Sequence, residues 1–125
     1  MKTPKGVTTI LAHLRRLERQ RAAVLDGLLV PSGFLKGSLS LVYRTCGKPN
    51  CHCAQRPGHP VWVLATSQAG RPRRQVVRKA DVEEVRKKVT AYQQFREALR
   101  QLEAIDHEEK QLLKGLLEKR HAPYE

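Results

Sequence analysis

The chain has 125 residues, of which 40% are hydrophobic, 29% charged and only 5% aromatic. This length and balance predict a single domain over residues 1–125, with a modest core of Leu, Val and Ala. Because no run of 18 apolar residues occurs, we expect no membrane-spanning helix. Arginines interrupt the N-terminal region, so we expect no signal peptide, and the clustered cysteines then favour a reducing, cytoplasmic location.

The net charge of +12 is concentrated in the middle of the chain. Residues 27–80 carry nine basic side chains and no acidic one, whereas residues 81–125 carry nine basic and ten acidic ones. Solubility alone does not require Asp and Glu to be absent from one segment. A positive field confined in this way is typical of proteins that bind the phosphates of nucleic acid.

Helices are predicted at both ends of the chain. Apolar residues recur every three or four positions over residues 8–29, with Thr8 or Thr9 as the N-cap. The same spacing follows Asp81, which we expect to cap a helix over residues 80–119. That helix would be roughly 60 Å long, so we expect it to pack antiparallel on the first helix. Apolar ends of these helices also offer a surface for a homodimer.

Three strands are predicted between the helices, over residues 37–79. Residues 37–44 alternate between two faces, residues 61–66 are β-branched and aromatic, and residues 73–78 follow a turn that contains Gly70 and Pro72. The fold class is therefore α+β. It comprises an N-terminal helix, a three-stranded antiparallel β-meander with a cysteine-rich turn, and a long C-terminal helix that pairs with the first.

All three cysteines lie in the turn between the first two strands, in the pattern Cys46-x4-Cys51-x-Cys53-x5-His59. Glycine and Pro-Asn residues in this turn favour a chain reversal, and Cys51 and Cys53 share a face where the backbone is extended. Three thiolates and an imidazole form a tetrahedral ligand set for zinc. The pattern predicts a structural zinc ion, bound by Cys46, Cys51, Cys53 and His59.

Two alternatives to this ligand set stay open. His52 or a residue of a second chain is the rival for the fourth position. The alternative to any metal is three reduced cysteines that pack as small hydrophobic side chains.

The charge pattern favours a nucleic-acid-binding protein, with double-stranded DNA ahead of RNA. The candidate contacts are the basic residues of the predicted sheet and its cysteine turn, namely Arg44, Lys48, Arg56, Arg71, Arg73, Arg74 and Arg78. Strands that enter the major groove are a precedent for a basic β-sheet face on DNA. The alternative is a protein-interaction or scaffold module, in which the long helix pairs with a partner and the zinc site is structural.

We expect no enzymatic activity and no small-molecule substrate. A catalytic cysteine needs a general base and an orienting group, and no carboxylate lies between residues 27 and 80. A zinc ion with four protein ligands has no open position for a water molecule.

Several segments resemble a family of short, uncharacterised bacterial proteins with a C-G-K-P-x-C-x-C signature, often encoded beside mobile elements. The matching segments are Gly37–Leu39, Tyr43–Ala54, Gly58-His59, Val61–Leu64 and Lys79–Arg86. This resemblance spans about residues 37–105 and implies an accessory role for a mobile element. The order of strands, turns and helix is also similar to the three-stranded arm-binding domain of phage-type tyrosine integrases. That similarity implies a sheet that lies in the major groove of DNA.

Overall fold

The computed structural model describes residues 5–45, 47–51 and 58–124. Its elements in chain order are α1 (Val7–Leu28), β1 (Gly37–Arg44), β2 (His59–Gln68), β3 (Arg71–Val77) and α2 (Val82–Arg120), with a 3-10 turn, Lys79–Asp81, before α2. This arrangement confirms the predicted α+β fold. Within the described residues, no helix combines the length and the apolar character that a membrane crossing requires.

The chain divides into two compact units. The sheet unit, Ser32–Gln94, contains the three strands and the first third of α2. The helical unit, Met1–Pro31 with Phe95–Glu125, contains α1 and the rest of α2.

The sheet is antiparallel throughout, in the order β1-β2-β3. β1 pairs with β2 from Gly37 opposite Thr66 to Arg44 opposite His59. A two-residue turn, Ala69-Gly70, joins β2 to β3 with φ angles of 51° and 78°. Two consecutive positive φ angles are typical of a type I′ turn, whose twist matches that of the two strands.

The central strand is buried on both faces of the sheet. Leu64 shares one face with Trp62, and Val63, with an exposure of 0%, lies on the other. We call these the Trp62 face and the Val63 face. The guanidinium of Arg86 lies 5.0 Å from the centroid of the Trp62 ring, so the first turns of α2 contact the Trp62 face.

The segment before β1 is attached to α2. The backbone N–H of Leu35 donates to the carbonyl of Lys88 at 3.2 Å, and the rings of Phe34 and Tyr92 lie 5.5 Å apart. These contacts hold the start of β1 beside the helix in the sheet unit.

In the helical unit, α1 and the second part of α2 pack antiparallel, as predicted. Residues later in α1 lie beside residues earlier in α2. Gly6 lies near Lys119, Ile10 lies near Gly115, and Arg21 forms an ion pair with Asp106. The buried seam consists of Val7 and Leu17 on α1 and of Ile105 and Leu116 on α2.

The expected N-cap of α1 is wrong. The helix begins at Val7, after Gly6 in the left-handed conformation with a φ of 84°, and no side chain caps it. Glycine adopts this conformation without a steric penalty. The earlier start allows Val7 to enter the seam with α2, where its exposure is 5%.

Candidate functional site

The ends of β1 and β2 that flank the cysteine turn lie very close together. Arg44 is opposite His59 in the ladder, and a Cβ on Gly58 would clash with the backbone carbonyl of Arg44. Only glycine permits two backbones to approach so closely. The sheet therefore brings the two sides of the turn together, as the spacing of the cysteines requires.

Two of the four predicted metal ligands are adjacent in the structure. The Sγ atom of Cys51 lies 3.2 Å from Nε2 of His59, and both side chains are half-buried. At ordinary bond lengths, a sulfur and a nitrogen on one tetrahedral zinc lie roughly 3.5 Å apart. The Cys51–His59 pair thus needs an adjustment of only a few tenths of an ångström to share a metal ion.

The other predicted ligands, Cys46 and Cys53, and the rival His52 lie outside the described residues. Within the described ranges, no three His, Cys, Asp or Glu side chains form a group that could hold a metal. The local backbone nevertheless folds back as the sequence predicts. Gly47 has a φ of 80°, and the N–H of Cys51 donates to the carbonyl of Lys48 at 3.1 Å.

Six of the seven candidate nucleic-acid contacts lie within the described residues, and all six are exposed. They are Arg44, Lys48, Arg71, Arg73, Arg74 and Arg78, while Arg56 lies outside the described residues. The register assigns Arg71 and Arg73 to the Trp62 face and Arg74 to the Val63 face, together with Arg44. Because neighbouring residues on a strand point in opposite directions, the arginines are divided between two faces.

The exposed residues of β2 and β3 form the end of a hairpin rather than one flat face of the sheet. Every residue from Ser67 to Val76 is exposed, so the end of the β2–β3 hairpin is accessible along both strands and at its turn. We call Ser67–Val76 the arginine hairpin, since it contains three arginines and no acidic residue. Nη1 of Arg73 donates to Oε1 of Gln68 at 3.0 Å. The sequence does not indicate Gln68 as a partner of Arg73, because no pattern distinguishes it from other surface residues.

The acidic residues of the sheet unit are grouped at the start of α2. Glu83 accepts from Arg86 at 2.6 Å, and an oxygen of Glu84 lies 3.9 Å from Nζ of Lys88. These carboxylates pair with cations of their own helix. Among the described residues, no acidic side chain forms an ion pair with the arginine hairpin, so its positive charge is available to a ligand.

The helical unit contains a half-buried carboxyl group that the sequence did not indicate. The side chain of Glu109 is 13% exposed, and its Oε1 has no hydrogen-bond partner in the described part of the chain. Burial raises the pKa of Glu109 above its ordinary value. Neighbouring Glu18, through a hydrogen bond and its charge, and the charge of Asp106 raise this pKa further, while the charge of Arg21 lowers it. Because these groups come from two helices, no local pattern reveals the cluster.

Comparisons with known proteins identify the family but give no function. No curated protein and no solved structure matches the chain. One family model, described as a domain of unknown function (DUF6788), matches residues 8–87. The match covers more than half of the chain and runs from α1 through all three strands into the first turns of α2. The chain therefore belongs to the DUF6788 family.

Proposed function

We propose that this protein binds double-stranded DNA and that the arginine hairpin enters the major groove. The observation that supports this proposal best is a run of ten exposed residues, Ser67–Val76, with three arginines and no carboxylate. Exposed guanidinium groups can donate to phosphate oxygens without the cost of breaking an existing ion pair. The surrounding acid-free segment, residues 27–80, extends the positive field beyond the hairpin.

The division of the arginines between two faces suits a ribbon better than a flat sheet surface. The major groove is about 12 Å wide and admits a two-stranded β-ribbon, whose strands are about 4.8 Å apart. A ribbon inside the groove has a phosphate backbone on each side. Arg71 and Arg73 would then face one backbone and Arg74 the other, whereas a sheet that lay flat would direct only one set to the DNA.

Basic residues outside the hairpin would add phosphate contacts. Arg44 and Lys48 flank the start of the cysteine turn, and Arg78 follows β3 in extended backbone with a φ of −62° and a ψ of 142°. Arg56 joins this group from its place in the sequence. An accessory role beside a mobile element, implied by the resemblance of the cysteine turn, is part of the same proposal.

The proposal includes one structural zinc ion held by Cys46, Cys51, Cys53 and His59. The close approach of Cys51 to His59 supports this zinc site. The metal would hold together the end of a short three-stranded sheet, which by itself has only marginal stability. Native mass spectrometry before and after chelation should show the loss of one zinc per chain. A folded protein that never contains metal would contradict this part, and zinc that survives His59→Ala would assign the fourth position to His52 or to a second chain.

Binding to a labelled generic duplex, measured by fluorescence anisotropy over a series of salt concentrations, tests the function directly. Replacement of Arg71, Arg73 and Arg74 by alanine should weaken binding and flatten the log–log salt slope by roughly three units, because three phosphates lose their cations. The matched control, Lys110→Ala with Lys114→Ala, alters α2 of the helical unit and should leave the slope unchanged. A triple variant that binds as tightly as the parent would overturn the proposal.

A duplex of RNA separates the two classes of nucleic acid. The major groove of A-form RNA is deep and narrow, so a protein ribbon does not enter it. We expect the parent to bind duplex DNA more tightly than duplex RNA at the same salt concentration. Equal affinity would show that the arginines contact phosphates from outside the groove.

A second candidate function is a helical interaction or scaffold module. Exposed leucines on α2 favour it, since Leu113 is 52% exposed and Leu117 69% exposed. These side chains would form the homodimer or partner surface of the long helix. This function replaces DNA binding if the parent binds no duplex at low salt.

A further inference from the structure

The two edges of the sheet differ in how they are protected. β1 and β3 are the outer strands. β3 carries Pro72, which cannot donate a ladder hydrogen bond, and three arginines. β1 has no proline and no charged residue from Gly37 to Tyr43. Charges and prolines prevent an edge strand from pairing with another chain, so β3 is protected and β1 is not.

Apolar side chains are exposed on the unprotected strand. Leu41 is 41% exposed and Tyr43 is 54% exposed, and both belong to the Trp62 face. In the part of the chain that the structure describes, the ladder of β1 is formed with β2 alone. We infer that the edge of β1 pairs with β1 of a second copy of this chain, so that two sheets join into one of six strands.

The sequence of β1 is self-complementary in one register. A two-fold axis perpendicular to the sheet keeps each face on the same side, so it pairs residues of the same face. With the axis at Leu41, that residue lies opposite the partner's Leu41, and Leu39 lies opposite the partner's Tyr43. An axis at Ser40 would instead place Tyr43 opposite a glycine, which has no side chain to cover it. Between these two registers, the hydrophobic pattern favours the one with its axis at Leu41.

Charge also favours a second copy at β1 and disfavours one at β3. In the Leu41 register, Arg44 lies opposite the partner's Ser38, so no like charges meet. The same operation at the middle of β3 would place Arg74 opposite the partner's Arg74. Like charges directly opposite each other destabilise strand pairing. This inference rests on the edge itself and does not depend on DNA binding.

Sedimentation velocity with paired charge variants tests both the surface and its symmetry. Leu41→Lys and Leu41→Glu should each weaken dimerisation about tenfold or more, because each places like charges together at the axis. An equimolar mixture of the two variants should restore the dimer, because lysine then faces glutamate. Restoration of this kind is expected only of a residue close to a two-fold axis.

A matched control uses the opposite edge of the same sheet. Val76 on β3 is 58% exposed, so Val76→Lys makes the same chemical change and should leave dimerisation unchanged. Leu117→Glu tests the competing surface on the long helix. A dimer that is lost with Leu117→Glu but kept with Leu41→Lys would overturn the inference.

Hydrogen exchange of the parent gives a result that needs no variant. Amides of β1 that point away from β2 should exchange about tenfold more slowly at high protein concentration than at low concentration, where the dimer dissociates. A monomer at all concentrations, or β1 amides whose protection does not change, would contradict the inference even if the variants fail to fold.

Discussion

The sheet unit and the helical unit carry the same number of cations but differ in charge. Each has twelve basic side chains, whereas the sheet unit has three acidic residues and the helical unit has nine. In the helical unit, Arg21 pairs with Asp106 at 2.6 Å and Arg100 with Glu97 at 3.4 Å. The comparison shows that the positive field of this protein depends on where carboxylates are absent, not on where lysine and arginine are present.

The two units also differ in how they bury apolar side chains. The sheet unit is buried on both sides of its central strand, at Val63 and Leu64, while the helical unit has a single buried seam between two helices. Two helices leave much of their surface exposed, so polar groups next to the seam influence its stability. Changes in the two units should therefore affect stability through different physical causes.

The largest effect on stability should follow from Gly58→Ala, which should destabilise the sheet unit and not the helical unit. The new Cβ clashes with the backbone of Arg44, and the strand ends must separate, at a cost of about 3 kcal/mol. Hydrogen exchange should show faster exchange for the amides of β1 and β2 than in the parent, with little change in α1. Gly33→Ala is the control, since a Cβ there meets no atom within 4 Å. Equal stability of the two variants would contradict the close approach at Gly58.

An intermediate effect of opposite sign should follow from Glu109→Gln in the helical unit. Since burial raises the pKa of Glu109 above 4.5, the stabilising contribution of this group is present at low pH and is lost as pH rises through its folded pKa. Glutamine removes the charge, so the variant should be more stable than the parent at neutral pH, by less than Gly58→Ala destabilises the sheet unit. Thermal unfolding at several pH values should show this advantage shrink towards acid. A constant difference at every pH would exclude the titration of Glu109 as its cause.

The smallest effect should come from the turn of the arginine hairpin. Ala69 has a φ of 51°, a conformation that costs an L-residue roughly 1–2 kcal/mol and that asparagine tolerates better. Ala69→Asn should therefore stabilise the sheet unit by about 0.5–1 kcal/mol in chemical denaturation. Gly70→Ala, at a φ of 78°, should have the opposite effect. If the hairpin binds DNA, Ala69→Asn should leave the salt slope unchanged, because no cation is removed.

Local patterns in the sequence predict most of the architecture. Apolar spacing of three and four placed both helices within two residues of their observed ends, and alternation placed β1 correctly. β2 is longer than predicted, since it begins at His59 and continues to Gln68. The predicted strand followed β-branched residues, but a strand continues for as long as its backbone finds a partner, and β1 and β3 supply that partner.

The candidate sites were only partly predictable. Spacing identified Cys51 and His59 as neighbours, because a short turn between paired strands allows few other arrangements. The composition of residues 27–80 identified the basic region, since charge is counted without any knowledge of the fold. Which arginines share an accessible surface depends on burial, and the sequence alone favoured one flat face.

The sequence by itself determined the helices, the order of the strands, the position of the cysteine-containing turn between β1 and β2, and the segment without acids, because each depends on residues close together in the chain. Tertiary structure decided that Ser67–Val76 is exposed on both strands, that Gly58 must lack a side chain, and that the carboxyl group of Glu109 lies close to that of Glu18. Each of these depends on residues that are distant in sequence or on the surroundings of a whole segment. Their proximity is fixed by strand register and helix packing, which local periodicity does not specify.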